Sequence, residues 1–222
     1  MTGLKTVIRK EMKCFFGSDK STFLVYAIIT IIWSFALAFS LSADRHFWLV
    51  FFSVIVAANF SSVVFISERV SGTLEVFITS GISRDAVLFG KMIFVIAMTA
   101  AVGAVCATLA AVWSATLYLG PDAALSLNAG HAFLYLSVTF FNAAASAYLS
   151  VRMPNPRFLH FANLFMAGAI AVLYSFTAAA FNLSLQLSGA LASLFFLFAG
   201  VVFTFLARRE FSGERIIRPI IF

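Results

Sequence analysis

Charge is what this sequence has least of. Asp, Glu, Lys and Arg make up 11% of its 222 residues, against 62% in the apolar class. A soluble globular domain carries about a quarter charged residues. A chain of this size folded in water still exposes much of its area, and there is too little polar side chain here to cover it. A water-soluble fold is excluded and a lipid-embedded one is expected, in keeping with the 28 Phe. Cysteine is almost as scarce. Cys14 lies in a basic amphipathic stretch and Cys106 inside an apolar run, so neither a disulfide nor a metal site is expected. Histidine occurs three times, as His46, His131 and His160. With no Gly-x-Ser-x-Gly elbow, no His-Glu-x-x-His string and no nucleophile–base pair at one depth, an intramembrane enzyme is disfavoured. No catalytic residue is assigned. A nucleotide site is missing too: in Gly81…Gly90-Lys91-Met92 the spacing is wrong for a P-loop, and Met92 stands where a magnesium-binding hydroxyl belongs.

What is present is a series of long apolar runs. A spanning helix needs about 20 apolar residues, and a charge near its centre costs roughly 2.5–3.5 kcal/mol. Reading between charges gives an all-α membrane protein with six transmembrane helices, at about 22–42, 47–67, 92–119, 131–151, 158–181 and 187–207. The first run, Ser21–Ala43, is too long for the core of a cleaved signal peptide and is taken as a retained span. The third is long enough to tilt or to extend out of the bilayer. Phe158–Ala207 carries no charge and must be two spans, with the turn placed at Asn182–Gly189.

The net charge of +6 does not point to nucleic acid, because the basic residues sit in short clusters between apolar runs. In the six-span reading 14 of the 15 Lys and Arg fall on one side and only Arg45 on the other. The positive-inside rule makes the first side cytoplasmic, with both termini there, in a plasma (inner) membrane. No Asp, Glu, Lys or Arg lies well inside a span, which disfavours ion-coupled transport and proton relays. The buried polar residues are weaker ones. Asn59, Ser175 and Thr177 are candidates for a substrate path. Small residues every fourth position, Gly103, Ala107, Ala111 and Ala115 among them, predict close helix packing.

Two segments stand apart. Residues 1–20 are amphipathic: Leu4, Ile8, Met12, Phe15 and Phe16 share one face, and Lys5, Arg9 and Lys13 form a basic stripe. That pattern predicts an interfacial helix lying in the inner headgroup plane, against membrane lipid. Residues 68–91 are too polar to span and too patterned for a slack loop. A short helix with Glu75 in its first turn and Leu74, Phe77 and Ile78 on one face ends at Gly81. Ser83 then caps the next helix, with Asp85 in its first turn, leading into span three. Apolar side chains exposed on a cytosolic segment suggest a partner.

The strings Glu68-Arg69-Val70-Ser71-Gly72-Thr73-Leu74-Glu75, Thr79-Ser80-Gly81-Ile82-Ser83-Arg84 and Gly90-Lys91, with Arg9-Lys10-Glu11 near the start, resemble the pattern of the ABC type 2 transporter permease family. The resemblance covers the whole chain. Gly81 stands where the family often has Pro, read as a conservative change within a turn, and the connection between spans five and six leaves little room for the re-entrant helices of some members. The resemblance implies a permease, paired as a homodimer or heterodimer, that binds two copies of a separate ABC ATPase. ATP and Mg would sit on that partner, none on this chain, and export would be driven from there. Carried over residue by residue, Glu68, Arg69, Gly72, Thr73, Leu74, Glu75, Phe77, Ile78 and Arg84 would contact the ATPase as a coupling helix. A haem-exporter-type permease of cytochrome c maturation is an alternative within the class. A non-ABC membrane scaffold or intramembrane enzyme is an alternative outside it.

Overall fold

The computed structural model describes residues 2–17, 20–40, 45–66, 81–117, 129–152 and 185–211, with isolated positions at 161, 162, 165 and 169. The described elements are helical: α1 (Thr2–Phe16), α2 (Lys20–Phe39), α3 (Arg45–Ser61, continued by a π turn at Ser62–Ile66), α4 (Arg84–Thr116), α5 (Ala129–Arg152) and α6 (Leu185–Glu210). Four of these, α3 to α6, are long and apolar enough to cross a membrane, and the apolar part of α2, Phe23–Phe39, is shorter. Several long apolar helices mark a membrane protein. The fifth expected span, 158–181, lies outside the described residues apart from those isolated positions.

Helix α5 forms the centre. Ala143, Ala144, Ala145 and Ala147 are wholly buried on it, and side chains this small let neighbouring backbones approach closely. Its partners supply the complementary gaps. A methyl group added at Gly103 of α4 would lie 2.6 Å from the Tyr135 ring, and one at Gly200 of α6 2.5 Å from the Phe140 ring. Neutral hydrogen bonds cross the same interfaces. Ser53 Oγ lies 2.8 Å from Thr139 Oγ1 and donates to the Tyr135 carbonyl at 3.1 Å, while Tyr135 donates to the Thr99 carbonyl at 3.0 Å. Such bonds contribute about 0.6 kcal/mol each between membrane helices, so packing dominates. The outer helices turn apolar side chains away from the bundle, as lipid contact requires: Ile32 and Phe35 on α2, Leu194, Phe198 and Phe205 on α6.

Contacts fix the helix directions. Lys91 near the start of α4 meets Val64 at the end of α3, so these two are antiparallel. Arg152 at the end of α5 meets Glu210 at the end of α6, and Arg208 meets Asp85 at the start of α4. Helices α5 and α6 therefore run the same way, and residues 153–184 leave from one end of the bundle and arrive at the other. Gly3 and Phe211 both belong to the end that holds Gly81–Asp85. The three Trp mark the opposite end: Trp33 packs edge-on against Trp48, and Trp113 donates to Ser34 Oγ at 3.2 Å.

Three sequence expectations are corrected. The interfacial helix does not lie across the bundle. Gly3 sits against Ile82 and Ala86, Val7 against Gly90, Glu11 against Lys91 and Phe15 against Phe94. A helix crossing α4 in the headgroup plane would meet it at one point, so α1 runs alongside α4, and α2 continues in the same sense to Ser34–Trp113. In agreement with the reading at Ser83 and Asp85, the helix leading into span three is formed over 84–91, as the first part of Arg84–Thr116. The turn placed at Asn182–Gly189 comes too late: the chain is helical from Leu185, and Ser193 bonds back to the Gly189 carbonyl at 2.7 Å. Finally, Ala111 and Ala115 are exposed, and the packed face of α4 is Thr99, Cys106, Ala110 and Ser114.

Candidate functional site

The chemistry collects at the end of the bundle that holds the helix termini on either side of residues 67–80. Its entry to α4 is built locally. Gly81 has φ +78° with open space around it, a left-handed conformation that costs other L-residues about 1–2 kcal/mol. A proline, confined near φ −65°, cannot adopt it. Gly81 is therefore not the conservative replacement expected from sequence. Ser83 then caps α4 by accepting a hydrogen bond from the Ala86 N–H at 3.3 Å, with Asp85 in the first turn. There the helix dipole favours a carboxylate, and the cap agrees with the sequence reading.

Two turns further on, Lys91 is completely buried. A buried ammonium is tolerated only when its donors are used and its charge is paired. Lys91 Nζ donates to Glu11 Oε1 at 3.1 Å and to the Val64 carbonyl at 2.7 Å, and lies 5.8 Å from the Phe65 ring centre. Val64 belongs to the π turn that ends α3, where carbonyls run out of intrahelical donors and the dipole is negative. One ammonium thus caps the helix before residues 67–80, belongs to the helix after them, and holds α1. Glu11 Oε1 also lies 3.4 Å from Lys10 Nζ. Val7, four residues before Glu11, fits the notch at Gly90, where an added methyl group would lie 2.8 Å from Val7 Cγ1.

Two further ion pairs among the described residues of this end reach solvent through their arginines. Arg208 grips Asp85 side-on with Nε and Nη2, at 3.1 and 2.7 Å, and Arg152 reaches the largely buried Glu210 at 3.1 Å while lying 5.7 Å from the Tyr148 ring. Together the pairs join α1, α4, α5 and α6 around the two helix ends that carry the intervening segment.

Among the residues singled out from sequence, Glu68, Arg69, Gly72, Thr73, Leu74, Glu75, Phe77 and Ile78 lie outside the described residues, as do Ser175 and Thr177. Arg84 is exposed on the first turn of α4. Lys5, Arg9 and Lys13 are exposed and share one side of α1, next to exposed Met12 and Phe16. Asn59 is half-buried and donates to the Ile55 carbonyl of its own helix at 2.8 Å, so its amide is already engaged. Among the described residues, buried polar atoms without a hydrogen-bond partner include Ser61 Oγ, Thr99 Oγ1 and Asn142 Nδ2. These are better placed than Asn59 to receive a polar group within the bundle. No group of three or more His, Cys, Asp or Glu that could hold a metal ion occurs among the described residues.

Sequence reasoning missed the pairing of Glu11 with Lys91. A signal was there: each is a single charge on an otherwise apolar face, Val7-Glu11-Phe15 and Val87-Lys91-Val95. No family model, curated protein or solved structure matches this chain.

Proposed function

We propose that the chain is the membrane-spanning permease subunit of an ABC exporter, crossing the membrane six times with its charged end in the cytoplasm. The observation that carries this reading is the meeting at Lys91. The Arg9-Lys10-Glu11 and Gly90-Lys91 strings, far apart in sequence and both part of the family resemblance, come together beside the helix ends that bracket residues 67–80. A segment hung between two pinned helix ends can pass a push from a cytosolic partner to the spans. The common end of Gly3 and Phe211, and the return that residues 153–184 must make between α5 and α6, support the six-span count. The basic clusters support the orientation. On this reading a separate ATPase binds ATP and Mg and engages residues 68–84, two permease copies form the path, and Lys5, Arg9 and Lys13 face anionic lipid headgroups.

The test is co-expression with a cognate ABC ATPase. Leu74→Asp and Phe77→Asp each place a carboxylate on the proposed contact face. Both variants should insert in the membrane at parental levels while the ATPase no longer copurifies and its hydrolysis loses stimulation by substrate. Normal copurification and stimulation with both changes present would remove the coupling assignment.

A further inference from the structure

We propose that Glu11 and Lys91 are positioning residues for the segment between α3 and α4: a dry electrostatic latch that makes α1 part of the body carrying that segment. The geometry of the latch stands on its own; only its effect on transport rests on the exporter reading. Three observations converge on it. The ammonium is fully buried and the carboxylate nearly so, 4% exposed as a residue, so neither charge can turn to water when the contact opens. The same ammonium holds the Val64 carbonyl in the π turn, which couples the end of α3 to the start of α4. The contacts beside it, Gly3 with Ile82 and Ala86, Val7 with Gly90, and Phe15 with Phe94, keep α1 in one register along α4 for three turns.

A packed apolar seam alone slides at small cost, because dispersion contacts are individually weak and replaceable. A buried ion pair does not: displacing it by one turn separates the Lys91 ammonium from Glu11 and from the Val64 carbonyl, and leaves the carboxylate to part-exposed Lys10 alone. The pair therefore fixes which residues of α1 and α4 face one another. Any displacement of residues 67–83 that moves the start of α4 must carry α1 with it, or break the latch as a discrete step. Lys10, the other cation at Glu11 Oε1, is part-exposed and can hold the carboxylate when the latch is open.

The experiment places cysteines at Gly3 and Ala86 of the full-length chain, in a Cys14→Ser, Cys106→Ala background, and follows disulfide formation in native membranes. A methyl group at Gly3 lies 3.5 Å from Ala86 Cβ, within disulfide reach. Lys91→Met and Glu11→Gln should each slow cross-linking by about tenfold, because a stranded charge outweighs the register preference of the apolar seam. Lys91→Arg, which keeps a buried cation able to donate to both Glu11 and the Val64 carbonyl, should keep most of the parental rate. If the neutral variants fail to insert, Lys91→Arg decides alone, since the latch requires it to insert and cross-link. Parental cross-linking in the neutral variants would overturn the proposal, and so would a Lys91→Arg variant that behaves like them. With the ATPase present, Lys91→Met should keep basal hydrolysis and lose substrate stimulation. Loss of both would overturn the positioning role, whereas failure of the exporter reading leaves the cross-linking result standing.

Discussion

The two ends of the bundle are held in different ways. At one end, charged groups meet at fixed distances: Lys91 with Glu11 and Val64, Arg208 with Asp85, Arg152 with Glu210. At the other, three Trp pack with Phe side chains and make neutral hydrogen bonds, with Trp33 stacked on Phe51 and Phe52. Aromatic contacts keep much of their value over a range of ring separations and angles. A buried ion pair loses its value abruptly. The charged end is suited to discrete rearrangement and the Trp end to holding helices together while they tilt. Amphipathic Trp also favours the membrane–water boundary.

Breaking the buried pair should show the contrast most strongly. Lys91→Met leaves the Glu11 carboxylate in an apolar setting and should destabilise the protein by about 3–5 kcal/mol, read as a lower melting temperature in detergent. Adding Glu11→Met should recover only part of that loss, because the carboxylate is gone but the Val64 carbonyl still lacks its donor. At the Trp end, Trp113→Phe keeps a ring against Phe35 and removes the hydrogen bond to Ser34. The expected cost is about 0.5–1.5 kcal/mol by the same measurement. The smallest effect should come from the contact that looks strongest on paper. Arg208→Ala removes the bidentate grip on Asp85, but both side chains are about half exposed (59% and 48%), so the loss should be roughly 0.2–1 kcal/mol and vanish in high salt. If Arg208→Ala proved as damaging as Lys91→Met, the distinction between buried and solvated ion pairs at this end would be wrong.

Local features were legible in the sequence. The Ser83 cap and Asp85 in the first turn depend on a few neighbouring residues and appear as read. Helices α2 to α6 were legible because long uncharged runs have few alternatives. Non-local features were not. Glu11 and Lys91 are 80 residues apart, and nothing in either stretch names the other. The orientation of α1 followed from reading its apolar face as lipid-seeking, whereas the face through Val7, Glu11 and Phe15 is the one that packs. The turn before α6 was misplaced because a serine hydroxyl does not end an apolar helix when it can bond back to a carbonyl one turn earlier, as Ser193 does to Gly189. Alanine periodicity misled on α4 because Ala sits equally well against lipid and against another helix.

Gly81 carries a consequence of its own. With φ +78° and no heavy atom within 4 Å of where a side chain would begin, the junction rejects substituents by handedness and not by size. Among the genetically encoded residues glycine alone takes this backbone at no cost, while the mirror-image form of alanine would take it as well and lose less freedom on folding. The point at which the chain enters α4 is a chirality filter that no described neighbour crowds.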